Sequence, residues 1–93
     1  MIKKKQKILI HGGSSGIGTT AIQITKNFGL EVFTTTRSQN KSIKCKKLGA
    51  HYSINTKKTD FEEFIKKKTN GDGVDVILDI VGGNYVQKNI NIL

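Results

Sequence analysis

The residues best placed to do chemistry lie between Ile8 and Gln23, ILIHGGSSGIGTTAIQ. An apolar run leads into the turn Gly12-Gly13-Ser14-Ser15-Gly16-Ile17-Gly18, which opens onto a segment of helical spacing. Strand, tight turn and helix in that order suit a dinucleotide pyrophosphate. Glycine has no Cβ, so the chain can take positive φ and bring its backbone within hydrogen-bonding distance of phosphate oxygens. The first N–H groups of the helix have no partner inside it and carry the positive end of its dipole, so they hold an anion without a dedicated basic side chain. Gly13, Ser14, Ser15, Gly16, Ile17 and Gly18 are therefore the candidate cofactor-binding residues of the turn. A plain surface turn is the bland alternative, and the flanking elements argue against it.

Nothing comparable marks a catalytic or metal site. The single Cys45 cannot form an internal disulfide, and no other cysteine or histidine stands at metal-ligand spacing from it. His11, at the end of an apolar strand, reads as a packing residue rather than a base. Asp79 reads as locally hydrogen-bonded and Asp75 as the entrance of a strand. No catalytic residue and no metal ligand is assigned.

The turn needs a framework. Ile17, Ala21, Ile24 and Phe28 follow at spacings of four, three and four, which predicts one apolar stripe facing the first strand, and Gly29 ends that helix. Glu31 to Thr36 (EVFTTT) is β-branched and aromatic and predicts a second strand, parallel to the first through a right-handed crossover. A polar loop from Arg37 to Lys41 leads to a shorter helix with Ile43 and Leu48 inward, closed by Gly49. A third strand is expected around Tyr52 to Ile54. Thr59 with Glu62 fits a capping box for a third helix from about Asp60 to Thr69, with Phe61, Phe64 and Ile65 inward. After a Gly71-Asp72-Gly73 turn, Val74 to Val81 (VDVILDIV) is the strongest strand signal, and a last helical start carries Val86, Ile90 and Leu93. Met1 to Gln6 reads as a solvated basic leader. The order β-α-β-α-β-α-β-α is that of an α/β, doubly wound parallel sheet, here an incomplete Rossmann unit. The usual strand order 3-2-1-4 puts the ligand at the carboxyl ends of strands 1 and 4, beside Gly12–Gly18 and Gly82-Gly83. Strand 4 would be an unprotected edge, so further strands are expected to complete the sheet.

Composition sets the outer limits. With 93 residues the chain is one small domain, and no substrate domain is expected within it. The apolar fraction of 35% is low and the formal net charge of +9 is high. The lysines are spread along the chain without an arginine cluster or interleaved aromatics, which argues for compositional bias over a nucleic-acid surface. No apolar run is long enough to span a bilayer or to serve as a signal peptide, and cysteine usage suits a reducing cytosol, so a cytoplasmic location without membrane partners is expected.

Taken together, HGGSSGIGTTAIQ, TRSQNK, KKLGAHYSIN, KTDFEEF and GVDVILDIVGG resemble, from about Lys7 onward, the nucleotide-binding domain of the zinc-independent quinone oxidoreductase group. That group belongs to the medium-chain dehydrogenase/reductase superfamily. The resemblance implies an NADPH-dependent reductase of quinones or related conjugated carbonyls. It also implies a separate N-terminal substrate domain and further strands, which a partner chain would have to supply. Ser14, Ser15, Gly16 and Ile17 fall on the family's pyrophosphate turn. Ser38 and Lys41 match the segment that holds the adenosine 2′-phosphate, with Arg37 where glycine is common. Thr56 replaces an aromatic or histidine of the same pocket, and Val81 and Gly82 fall where the family chain passes the nicotinamide. Physical chemistry supports NADPH independently: NAD-binding domains place an acid after the second strand, about 20 residues beyond the glycines. Here that region is Thr35-Thr36-Arg37-Ser38, with no carboxylate and with two cations, Arg37 and Lys41, nearby.

Two other readings stand beside this one. The glycine turn also fits short-chain dehydrogenases, but no Tyr-x-x-x-Lys pair follows, since Tyr52 is followed four residues on by Thr56 and Tyr85 by Asn89. A vestigial, non-catalytic nucleotide-binding fragment is the second alternative.

Overall fold

The computed structural model describes residues 6–79 and 86–93. Four strands and four helices alternate: β1 (Lys7–His11), α1 (Gly16–Asn27), β2 (Glu31–Thr36), α2 (Gln39–Leu48), β3 (Tyr52–Asn55), α3 (Phe61–Lys68), β4 (Val76–Asp79) and α4 (Val86–Ile92). The strands form one sheet in the order β3-β2-β1-β4, every pair parallel, as the alternation predicts. Register is set from β1 outward: His11 lies opposite Thr35 of β2 and Asp79 of β4, and Thr36 opposite Asn55 of β3. The strands therefore end together, and the loops that leave them share one edge.

Unbroken apolar character in β1 follows from covering both faces. Ile8 and Ile10 point to the side of α1 and α2, where they pack with Ile22, Val32, Cys45 and Ala50. Leu9 points the other way, into a cluster with Phe33, Ile54, Phe61, Ile65 and Ile92. β4 is the exposed edge. Ile77 packs on the second cluster, whereas Val76 and Leu78, opposite Ile8 and Ile10, are 47% and 37% exposed on the α1 side.

Helix rotation is where the structure departs from the apolar periodicity. In α1 three residues of the expected stripe face solvent, with Ile17 67%, Ile24 50% and Phe28 78% exposed, while Ala21 packs partly against the core and the buried residues are Gly18 and Ile22. The turn imposes this. Gly18 must lie against Gly12 and Gly13, which brings Ile22, one turn on, beneath it. In α2, Ser42 and Cys45 face inward rather than Ile43, because the Ser42 hydroxyl is hydrogen-bonded at 2.5 Å to that of Thr36 at the end of β2; Leu48 is half-buried as expected. The cap of α3 is Asp60, not Thr59: its carboxylate accepts from the Glu62 N–H at 3.0 Å, and Phe61 and Ile65 are buried with Phe64 partly so. In α4 the buried residue is Ile92, while Ile90 and Leu93 face outward. The Ile92 carbonyl accepts from the Val74 N–H at 2.7 Å, and Gly73, at φ 74°, lets the two segments meet. The side chain of Val86, the leader 1–5 and the connection 80–85 lie outside the described residues.

Candidate cofactor site

The glycines of the turn have three different reasons to be glycine. Gly12 holds φ at 73°, a conformation that side chains rarely take. Its N–H and that of Gly13 both donate to the Thr35 carbonyl at 3.1 Å, which ties the turn to the end of β2. A Cβ at Gly13 would sit 2.9 Å from Thr34 Cβ and 3.2 Å from the Cys45 sulfur, and one at Gly18 only 2.4 Å from the Gly12 carbonyl oxygen. These two are packing glycines. Gly16 differs: a Cβ there would meet nothing within 4 Å. Neither neighbours nor φ demand glycine at that position, and open space beside it leaves the backbone approachable.

Beside Gly16 are unsatisfied donors. Ser15 caps α1, its hydroxyl accepting from the Gly18 N–H at 2.9 Å, and Thr19 N–H donates to the Ser15 carbonyl. The N–H groups of Gly16 and Ile17 have no partner among the described residues, and both lie at the positive end of the α1 dipole. Open backbone and orphan donors together fit a pyrophosphate group. Gly13 and Gly18 shape this cradle, Ser15 caps it, and Ser14 is part of the turn.

A second structure lies on the same edge of the sheet. Arg37, at the exit of β2, and Thr56, at the exit of β3, line one cleft of about 540 Å³ with Lys57, Lys58, Asp60 and Lys88. Thr56 locks the two exits together, donating from both its N–H (2.9 Å) and its hydroxyl (3.1 Å) to the Thr36 carbonyl. Lys88, across the cleft on α4, pairs with the Asp60 carboxylate at 2.9 Å. That contact, with the α3 cap, holds the Asp60 carboxyl below its ordinary range, and Asp60 in turn raises Lys88. Ser38 caps α2 by accepting from the Lys41 N–H at 3.2 Å, which leaves its hydroxyl proton free to donate. Lys41 is exposed in the first turn of α2 and does not line the cleft. Val81 and Gly82 lie outside the described residues. Lys57, Lys58 and Lys88 were not legible from the sequence, because lysines are too frequent in this chain to stand out.

His11 is fully buried at the end of β1. Asn89 donates through Nδ2 to the Asp79 carboxylate at 2.9 Å, so its Oδ1 faces His11 and accepts from Nε2–H at 2.6 Å. The neutral ring then accepts at Nδ1 from the Thr35 hydroxyl at 2.8 Å and meets Phe61 edge-on at 4.7 Å. It is a packing residue that ties α4 to β1. Burial lowers its pKa from the ordinary 6.5, partly opposed by the Asn89 contact and the Asp79 charge. As pH falls below 6.5 the unfolded chain takes up this proton first, so stability falls down to the depressed folded-state value and levels off below it. His11→Gln is expected to remove that component of the slope in urea denaturation as pH falls below 6.5. An unchanged slope would show that His11 is not its source. Burial likewise pushes the Cys45 thiol up, which leaves it an inert packing group. Among the described residues, no three His, Cys, Asp or Glu side chains are placed to hold a metal ion, and no helix is long and apolar enough to cross a membrane.

Comparison with known proteins agrees with this fold. Residues 16–93 match the zinc-binding dehydrogenase family. A 2-haloacrylate reductase from a Burkholderia species is 33% identical over 92 residues, covering 99% of this chain and 28% of that protein. The crystal structure of 2-haloacrylate reductase superposes with a TM-score of 0.93 over 98% of this chain. The Escherichia coli quinone oxidoreductase complexed with NADPH superposes at 0.90 with 30% identity, over 99% of this chain and 28% of that one. A highly reducing polyketide synthase of Emericella nidulans is 37% identical over 95 residues, covering 99% of this chain and 4% of the synthase. The chain thus spans under a third of this haloacrylate reductase and this quinone oxidoreductase.

Proposed function

Because this chain belongs to the zinc-binding dehydrogenase family, within the medium-chain dehydrogenase/reductase superfamily, we propose that it is the NADPH-binding portion of a reductase of quinones or related conjugated carbonyls. The single observation that carries the cofactor reading is Gly16: it is a glycine with open space in place of a Cβ, beside two orphan helix N–H groups. NADPH supplies a hydride when bound, and the task of this chain is to hold it. The N–H groups of Gly16 and Ile17, with Ser14 beside them, take the pyrophosphate. Arg37, Ser38 and Lys41 take the adenosine 2′-phosphate with Thr56 beside them, and the family resemblance assigns Val81 and Gly82 to the nicotinamide end.

Binding alone does not reduce a substrate. Hydride transfer needs an acceptor held in contact with the cofactor. In this reading the substrate-binding part and further strands come from outside these residues and adjoin the β4 edge, where Val76 and Leu78 are exposed. Quinones and conjugated carbonyls are the acceptor class that the reductase relatives suggest.

The preference between cofactors is the test. By titration calorimetry the chain is expected to bind NADPH more tightly than NADH, and Arg37→Ala to weaken NADPH by roughly tenfold with little change for NADH, the loss of one charge-assisted contact. Equal affinities, or a loss that strikes both cofactors alike, would refute the assignment. A folded chain that binds neither would be the vestigial fragment.

A further inference from the structure

We propose that Lys57 and Lys58, in the loop between β3 and α3, are the main specificity determinants for the 2′-phosphate, ahead of Lys41. The inference rests on the NADPH reading above and names the side chains that carry it.

Geometry makes the case. The cleft that contains Arg37 contains both of these lysines, and Lys41 is not among its lining residues. Their position is held from the backbone. Asn55 accepts through Oδ1 from the Lys57 N–H at 3.0 Å and through its carbonyl from the Lys58 N–H at 3.0 Å. Thr56, between them and β3, is pinned twice to the Thr36 carbonyl, one residue before Arg37. The loop that bears the lysines is thereby anchored to the strand end that bears the arginine, so the three cations share one cleft without a hinge between them.

Charge makes the rest. Asp60, the acid of the cleft, is engaged twice, by Lys88 and by the Glu62 N–H. Among the described residues Arg37, Lys57 and Lys58 form no ion pair. Three cations gathered in one cleft repel one another, and an anion of charge near two relieves that repulsion with charge-assisted hydrogen bonds. A ribose phosphate monoester meets the requirement; a ribose hydroxyl does not. Two such monoesters differ only in the ribose carbon that bears the phosphate, so the position of the phosphate is part of the test.

The test uses the whole chain with four probes by calorimetry: NADPH, NADH, adenosine 2′,5′-bisphosphate and adenosine 3′,5′-bisphosphate. The parent is expected to favour NADPH over NADH and the 2′,5′ over the 3′,5′ isomer. Lys57→Ala/Lys58→Ala is expected to weaken NADPH and the 2′,5′ isomer by roughly 30-fold and NADH by about twofold or less, while Lys41→Ala weakens NADPH by about threefold or less. All three lysines are exposed, so circular dichroism should report unchanged folding in both variants. A parent that prefers NADPH, with a double variant that keeps the preference or a Lys41 variant that loses it, overturns this inference and leaves the cofactor reading standing. A preference for the 3′,5′ isomer assigns the cleft to a different phosphate and overturns it as well. A parent without NADPH preference overturns both.

Discussion

Gly18→Ala is expected to destabilise the fold by about 3 kcal/mol or more, at the upper end of what overpacking costs. The added methyl would lie 2.4 Å from the Gly12 carbonyl oxygen and 2.8 Å from Gly13 Cα. Both are backbone atoms, and the Gly12 and Gly13 N–H groups are bound to β2, so the turn cannot yield without giving up its tie to Thr35. Small domains hold only about 5–15 kcal/mol of stability in all, so much of it would go. Gly16→Ala is the matched control, since open space surrounds its Cβ position. It should leave the urea midpoint unchanged or slightly raised and weaken NADPH instead. If Gly18→Ala costs less than about 1 kcal/mol, α1 does not pack on the turn as described.

Phe33→Ala carries the other large effect, about 4 kcal/mol. Phe33 is fully buried on the α3 and α4 side of the sheet, in one cluster with Leu9, Ile54, Phe61 and Ile65, and it stacks on Tyr52 with ring centroids 4.7 Å apart. Its removal leaves a cavity between β2 and the helices that β-sheet neighbours cannot fill. At about 4–8 °C per kcal/mol for a domain of this size, the thermal midpoint should fall by roughly 20 °C, read by circular dichroism. A fall of only a few degrees would mean that the cluster around Leu9 and Phe33 is not the main core.

The two predictions separate what the sequence made legible from what it did not. Strand order and element order were legible, because β1 and β4 are short apolar runs spaced by helices and glycine stops, and parallel topology follows from that spacing. Helix rotation was not. Apolar spacing alone chose Ile17, Ile24 and Phe28, but the inward face of α1 is decided by a close approach at Gly18, which only the folded turn reveals. Ile43 and Ile90 misled for a related reason: the rotations of α2 and α4 are set by polar contacts at their ends, Ser42 to Thr36 and the Ile92 carbonyl to Val74. The Asp60 cap was missed by one residue because Thr59 and Asp60 are both good caps, and the carboxylate won with a second partner in Lys88.

Site legibility divides in the same way. The strand-turn-helix arrangement around the glycines was legible as a unit, since an apolar run, a glycine-rich turn and helical spacing follow one another there. What each glycine does was not, and Gly16 alone is spare of any duty to the fold. Arg37 was legible as a cation where an acid is expected. Lys57 and Lys58 were hidden among many lysines and emerge only when the β3 exit is seen to be clamped to the β2 exit through Thr56.

The measurement that tests the central claim most directly is an amide proton–nitrogen NMR titration of the 93-residue chain with NADPH. The expected result is a set of shifts centred on the amides of Ser14, Gly16, Ile17 and Gly18, with a second set at Arg37 and residues 56–58, and only the second set reduced when NADH is used. Saturable shifts that leave the turn unmoved, or a folded chain with no shifts at all, would contradict the claim that this turn and this cleft hold the dinucleotide.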